Sequence, residues 1–159
     1  MGARQFDYYV FIDYSENFLG YLIIKKEKIG ELIPKISKFS HYKELKHKHA
    51  YIHSIKKIIE KNKVLSNLLK IKIRRTTDTP EIYSDILEFL KRNDNCLIFI
   101  SVDNNQYSNF ERLVNIIDGI NTKIVRESEL KKDTFEYKIS LILDTLLNIE
   151  RLKHEIKKV

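Results

Sequence analysis

Hydrophobic and polar positions alternate in two rhythms along this chain. Residues 6–15 read Phe-Asp-Tyr-Tyr-Val-Phe-Ile-Asp-Tyr-Ser, an aromatic and β-branched run that suits a central strand packed on both faces. Ser15-Glu16-Asn17 makes a turn, and 18–26 reads as a second strand. So short a connection predicts an antiparallel hairpin. From 29 to 39 the pattern is poor, with Gly30 and Pro34 breaking any regular element. Ser40 then stands as a cap for a helix over about 41–61. Leu45, Ile52, Ile55 and Ile59 lie near one face of it, and Lys43, Lys46, Lys48, Lys56, Lys57 and Lys61 fill much of the remainder. That is an amphipathic helix with a basic outer surface.

The stretch 67–75 alternates apolar and basic residues, predicting a half-buried strand with Lys70, Lys72 and Arg74 on its exposed face. Thr79-Pro80 opens a helix through Leu90, and Asn93-Asp94-Asn95 closes it. Residues 96–102 are continuously apolar, as in a strand covered on both sides, and end in Asp103-Asn104-Asn105. A helix over about 107–117, a short strand at 122–125 and a last helix over 133–157 follow. The last helix buries Phe135, Ile139, Ile142, Leu143, Leu146 and Ile149. Length and the alternation of strands and helices predict one α/β domain spanning 1–159, with the basic helix between its second and third strands.

Charge sharpens this picture. The net charge is +7, yet residues 25–75 hold sixteen Lys or Arg against four Glu, a local balance of +12 that leaves −5 elsewhere. A basic region of this kind fits a phosphate-rich partner such as DNA or RNA. A solvated lysine-rich surface is the alternative. Cys96 is the sole cysteine, so no internal disulfide forms, and its apolar neighbours predict a small buried side chain. No apolar run reaches the ~18 residues that span a membrane, and the start lacks the form of a signal peptide. The expected setting is therefore cytoplasmic, away from membranes. The apolar stripe of the basic helix also allows a homodimer.

Without the basic helix, the order of elements is β-β-β-α-β-α-β-α. It resembles the ribonuclease H-like (retroviral-integrase-like) superfamily of nucleases, resolvases, integrases and transposases. The resemblance implies a five-stranded mixed sheet flanked by helices, with residues 28–66 as a basic helical insertion between the second and third strands. It also implies an acid in the first strand, another at the end of the fourth and a third on the last helix. Those places hold Asp13, Asp103 and Asp144, within Phe11-Ile12-Asp13, Ile100-Ser101-Val102-Asp103 and Leu143-Asp144-Thr145. The chain also resembles a group of prokaryotic proteins of unknown function with this fold and an Asp-Glu-Ser-Gly first-strand signature. Here the corresponding residues are Asp13-Tyr14-Ser15-Glu16.

Physical chemistry supplies a separate reason to single out these acids. Two-metal phosphoryl transfer needs carboxylates from separate elements, and Mg²⁺ or Mn²⁺ takes oxygen ligands, so histidine is unnecessary. Asp13, Asp103 and Asp144 are the candidate catalytic and metal-binding residues. Glu136 shares a helical stripe with Asp144, and Glu81, Asp85 or Glu88 are further candidates to complete the set. The candidate nucleic-acid contacts are Lys43, Lys46, Lys56, Lys57, Lys70, Lys72, Arg74 and Arg75. Structural roles compete: Asp13 could serve the turn, Asp103 could cap a helix, and Asp144 could pair with Arg151 or Lys138. His49 and His53 are four apart, but no Glu of a metalloprotease motif lies between them. Three readings stay open: a metal-dependent nuclease, a non-catalytic nucleic-acid-binding or assembly module, and a nucleotide-binding protein with its ligand at the strand ends.

Overall fold

The computed structural model describes residues 6–101, 104–118 and 122–157. Its strands are β1 (Tyr8–Ser15), β2 (Phe18–Lys25), β3 (Lys70–Arg75), β4 (Cys96–Ile100) and β5 (Lys123–Arg126). Its helices are α1 (Lys26–Leu32), α2 (Lys48–Lys61), α3 (Thr79–Arg92), α4 (Asn104–Asp118) and α5 (Phe135–Lys157). The strands form one sheet in the order β3-β2-β1-β4-β5. β1–β2 and β2–β3 are antiparallel, whereas β1–β4 and β4–β5 are parallel. This is a mixed five-stranded sheet with flanking helices, the arrangement that the resemblance implies.

The period-two alternation of β1 divides the core into two layers. Tyr9 and Phe11 pack against α5, α2 and the chain around Leu32 and Ile36. Val10 and Ile12 face Ile82, Ile86, Phe110 and Val114 from α3 and α4. β1 is therefore buried on both sides, as its composition predicts. Cys96 is fully buried at the start of β4.

Two elements depart from their sequence patterns. Residues 26–32 form a helix although Gly30 lies inside it. Over 41–61 only Lys48–Lys61 is α-helical, preceded by a 3₁₀ turn at Tyr42–Glu44 and an extended Leu45. Tertiary hydrogen bonds override local propensity there. The Tyr42 amide donates to Asp144 Oδ2 at 2.9 Å, and Ser40, rather than capping a helix, donates its amide to the Tyr51 hydroxyl at 3.1 Å. Among the described residues no helix is long and apolar enough to cross a membrane.

Two glycines give opposite expectations. A Cβ on Gly20 would stand 2.7 Å from Lys72 O and 2.9 Å from Ile73 Cγ1, whereas one on Gly30 would meet nothing within 4 Å. Gly20→Ala should cost about 1–3 kcal/mol through overpacking. Gly30→Ala should add roughly 0.5–1 kcal/mol by removing backbone entropy from an exposed helix. Urea unfolding of both variants tests this; the same sign for both would contradict the packing described.

Candidate functional site

Strand register builds the site. Ile12, Ile100 and Arg126 stand side by side across the parallel strands β1, β4 and β5, so the next residue along each, Asp13, Ser101 and Glu127, extends the row. Ser101 continues the ladder by donating its amide to Ile12 O at 3.0 Å. Two residues back along each strand, Phe11, Phe99 and Val125 pack toward α5, and alternation turns Asp13, Ser101 and Glu127 to that same face. Ser101 stands between the two flanking carboxylates, where its single hydroxyl proton favours the charged form of whichever it faces. Asp144 comes in from α5. Tyr42 donates its amide to Asp144 Oδ2, and Asn148 Nδ2 lies 3.5 Å from Oδ1.

This crowding shows in the acid–base balance. Burial, then the charges of Glu127 and Asp144, push Asp13 well above the usual carboxylate range; hydrogen bonds from Tyr14 and Ser101 oppose this. The Tyr14 amide reaches Asp13 Oδ1 at 2.7 Å. Burial raises Glu127 too, resisted by Ser101 and reinforced by Asp144. Asp144 is raised by burial, against the Tyr42 amide, His41 and Lys43. Among the described residues, none of the three carboxylates makes an ion pair within 4 Å. Arg151, the alternative partner for Asp144, lies instead against Glu155 at 2.8 Å and Asn148 at 3.0 Å. His41 Nδ1 is a buried polar atom with no hydrogen-bond partner.

The structure sorts the sequence candidates. Asp13 and Asp144 come together. Asp103 lies outside the described residues. Glu136 stands eight residues before Asp144, about 12 Å along the helix, where its charge acts on Tyr9. Glu81 and Asp85 belong to the other side of the sheet, where Lys72 Nζ meets Glu81 at 3.0 Å and Asp85 at 2.6 Å; Glu88 lies on the same helix, α3. Glu127 and Ser101 are the additions. The signal for Glu127 was weak in Ile124-Val125-Arg126-Glu127, where an arginine separates the apolar pair from the acid, unlike Phe11-Ile12-Asp13 in β1.

The basic candidates divide as well. Lys72 is held by two carboxylates, Arg74 Nε lies 3.4 Å from Glu81, and Arg75 lies 3.0 Å from His154 Nδ1 and over the Phe18 ring. On the predicted exposed face of β3, Lys72 and Arg74 are thus engaged with α3, whereas Lys70 makes no ion pair among the described residues. Lys43, Lys46, Lys56 and Lys57 are exposed and make no ion pair among the described residues. Lys43 lies near enough to Asp144 to favour its charged form.

The donor chemistry suits a hard divalent cation, because it offers several carboxylate oxygens with unbalanced negative charge. The placement is less complete: among the described residues, no three His, Cys, Asp or Glu side chains stand so as to share one ion.

No family model and no curated protein matches the chain. Among solved structures, a chain in the PCNA:RNase HII complex from Archaeoglobus fulgidus superposes on 95% of this chain and 73% of its own length. The identity is 10% and the TM-score 0.49, a likeness that carries nothing about chemistry.

The raised carboxylates predict a pH dependence. A folded-state pKa above the unfolded value favours the protonated form, so the stabilisation is present at low pH and is lost as pH rises through the raised value. Asp13→Asn should therefore stabilise the fold at pH 7–8, by about 1–3 kcal/mol, the range for relieving a poorly compensated buried polar group. The gain should vanish near pH 4, where the wild-type carboxyl is itself neutral. Thermal unfolding across pH measures it; an Asn variant less stable than wild type at pH 8 would contradict the crowding.

Proposed function

We propose that this protein is a divalent-metal-dependent phosphodiester hydrolase acting on nucleic acid. The observation that carries the reading is the meeting of Asp13, Glu127 and Asp144 at the C-terminal end of the parallel strands, with no ion pair within 4 Å among the described residues. Burying unpaired carboxylates is costly, so a purely structural role is a poor account of three together. Asp13, Glu127 and Asp144 would hold Mg²⁺ or Mn²⁺, with Asp103 following β4 as a further candidate. Such an ion, when bound, supplies activation of a water and stabilisation of the departing oxygen. Ser101 orients the two carboxylates beside it. Lys43 brings positive charge next to the acids, where a substrate phosphate would lie. Lys46, Lys56 and Lys57 hold the phosphate backbone further out, through contacts that carry no sequence information.

A second reading has its own support. No ready metal-holding group stands among the described residues, and this favours a non-catalytic nucleic-acid-binding or assembly module with the same basic surface.

One experiment separates the two. Labelled single- and double-stranded DNA and RNA are incubated with Mg²⁺, Mn²⁺ or EDTA, using wild type, Asp13→Asn, Glu127→Gln and Asp144→Asn. The hydrolase reading expects metal-dependent cutting that falls by about 100-fold or more in each variant. Salt-sensitive binding without cutting, unchanged in the variants, would leave the binding module instead. The binding surface has its own measurement: Lys56→Gln/Lys57→Gln should reduce the slope of log affinity against log salt by about 2, near 0.9 per lost phosphate contact. An unchanged slope would remove α2 from the interface.

A further inference from the structure

A cavity of about 380 Å³ lies away from the carboxylates. Its apolar floor is made by Tyr8, Leu69 and Phe89, and its rim carries Lys25, Lys70 and Arg92. Tyr8 begins β1 and Asp13 stands five residues on, roughly 16 Å along the strand. Tyr8 packs in the layer of α3, whereas Asp13 faces α5. The two places are thus at opposite ends and on opposite faces of the sheet.

Three element ends create the rim. Lys25 closes β2, Lys70 opens β3 and Arg92 ends α3. None of these cations makes an ion pair or side-chain hydrogen bond among the described residues, in contrast to Lys72 and Arg74 further along β3. A cation in the last turn of a helix is favoured by the helix dipole, which accounts for Arg92 but for neither lysine. Lys70 Nζ lies 5.9 Å from the Phe89 ring centroid, and Tyr8 meets that ring edge-on at 5.1 Å. Glu88 is the sole acid of the lining, so the cavity carries a local balance of +2. Asn93 Nδ2 donates to Phe89 O, which leaves its Oδ1 free to accept.

We infer that this cavity binds a nucleotide: a phosphate on the Lys25–Lys70–Arg92 rim and a base against the Tyr8–Leu69–Phe89 floor. Three cations suit a phosphate, the aromatic and aliphatic floor suits a base without demanding a sequence, and the volume falls in the range of small-ligand sites. Glu88 and Asn93 Oδ1 supply acceptors for the N–H and O–H groups of base and ribose. The ligand is either a free mononucleotide or the phosphorylated end of a strand. The inference is independent of the carboxylate centre and of any hydrolysis there.

Isothermal titration at fixed ionic strength tests it with AMP, adenosine, inorganic phosphate and a 5′-phosphorylated trinucleotide. The proteins are wild type, Lys70→Gln/Arg92→Gln and Asp13→Asn. Both rim residues are exposed, and equal melting temperatures would verify that the double variant folds. AMP should bind more tightly than adenosine or phosphate, lose at least about tenfold in affinity in the double variant and bind Asp13→Asn unchanged. A trinucleotide tighter than AMP identifies the source as a strand end, and the reverse identifies a free nucleotide. No AMP binding, affinity untouched by the double variant, or affinity lost in Asp13→Asn would each overturn the inference.

Discussion

The parallel register of β1, β4 and β5 is the constraint on which the candidate site depends. Backbone hydrogen bonds align Ile12, Ile100 and Arg126, and the stacked rings of Phe11 and Phe99, 5.2 Å apart, hold the layer beneath. Asp13, Ser101 and Glu127 are then neighbours by geometry, without any attraction between the two acids. A one-residue slip of β1 would turn Asp13 to the other face and present Tyr14 in its place. The apolar set on both faces of β1 makes such a slip expensive. Core packing thus enforces a carboxylate cluster that electrostatics alone would disperse.

Charge follows a similar division. The strongly basic stretch is not one surface. Where it forms β3, the sheet places Lys72 against α3, and Glu81 and Asp85 neutralise it. The same network buries the Tyr21 hydroxyl against Asp85 at 3.1 Å and, by burial first and that hydrogen bond second, pushes it up to about 12. Where the stretch forms α2, the apolar face of the helix is consumed by the core through Ile52 and Ile55, and among the described residues Lys56 and Lys57 make no ion pair. Partly exposed pairs such as Lys72–Glu81 contribute little stability, but they remove cations from the pool available to a phosphate.

Much of this was readable from the chain. The apolar run of β1, the hairpin, the Pro80 helix start and the buried face of α5 all carry their periodicity openly. Asp144 stands out as an acid within an apolar helical run, and Asp13 as one at a strand end. Glu127 was harder to see, because β5 is short and its last residue, Arg126, looks like the beginning of a polar loop. Only the pairing of Ile100 with Arg126 shows that Glu127 continues the row. Likewise, Ser101 is an ordinary residue until the register sets it between two carboxylates. The segment before α2 misled for a different reason: its helical pattern is real, but Asp144 and Tyr51 capture the Tyr42 and Ser40 amides, and local propensity cannot compete with those bonds.

The contact from Tyr42 bears on what the carboxylate centre can do. A hydrogen bond to a charged acceptor is worth roughly 1.5–3 kcal/mol, so a ligand that had to displace it would lose about 10- to 100-fold in affinity. Displacement is not required by valence. A carboxylate offers about four lone-pair sites; the Tyr42 amide takes one and Asn148, at 3.5 Å, at most a second. The amide also favours the ionised form of Asp144 against the burial that raises its pKa, as do His41 and Lys43 in the same segment. The chain leading into α2 therefore orients a buried carboxylate and opposes the rise in its pKa while leaving oxygen valence unspent. An N–H fixed in this way resembles the outer-shell bonds that orient metal-binding carboxylates more than a plug. A fold selected only for stability would gain more from a neutral side chain at that position.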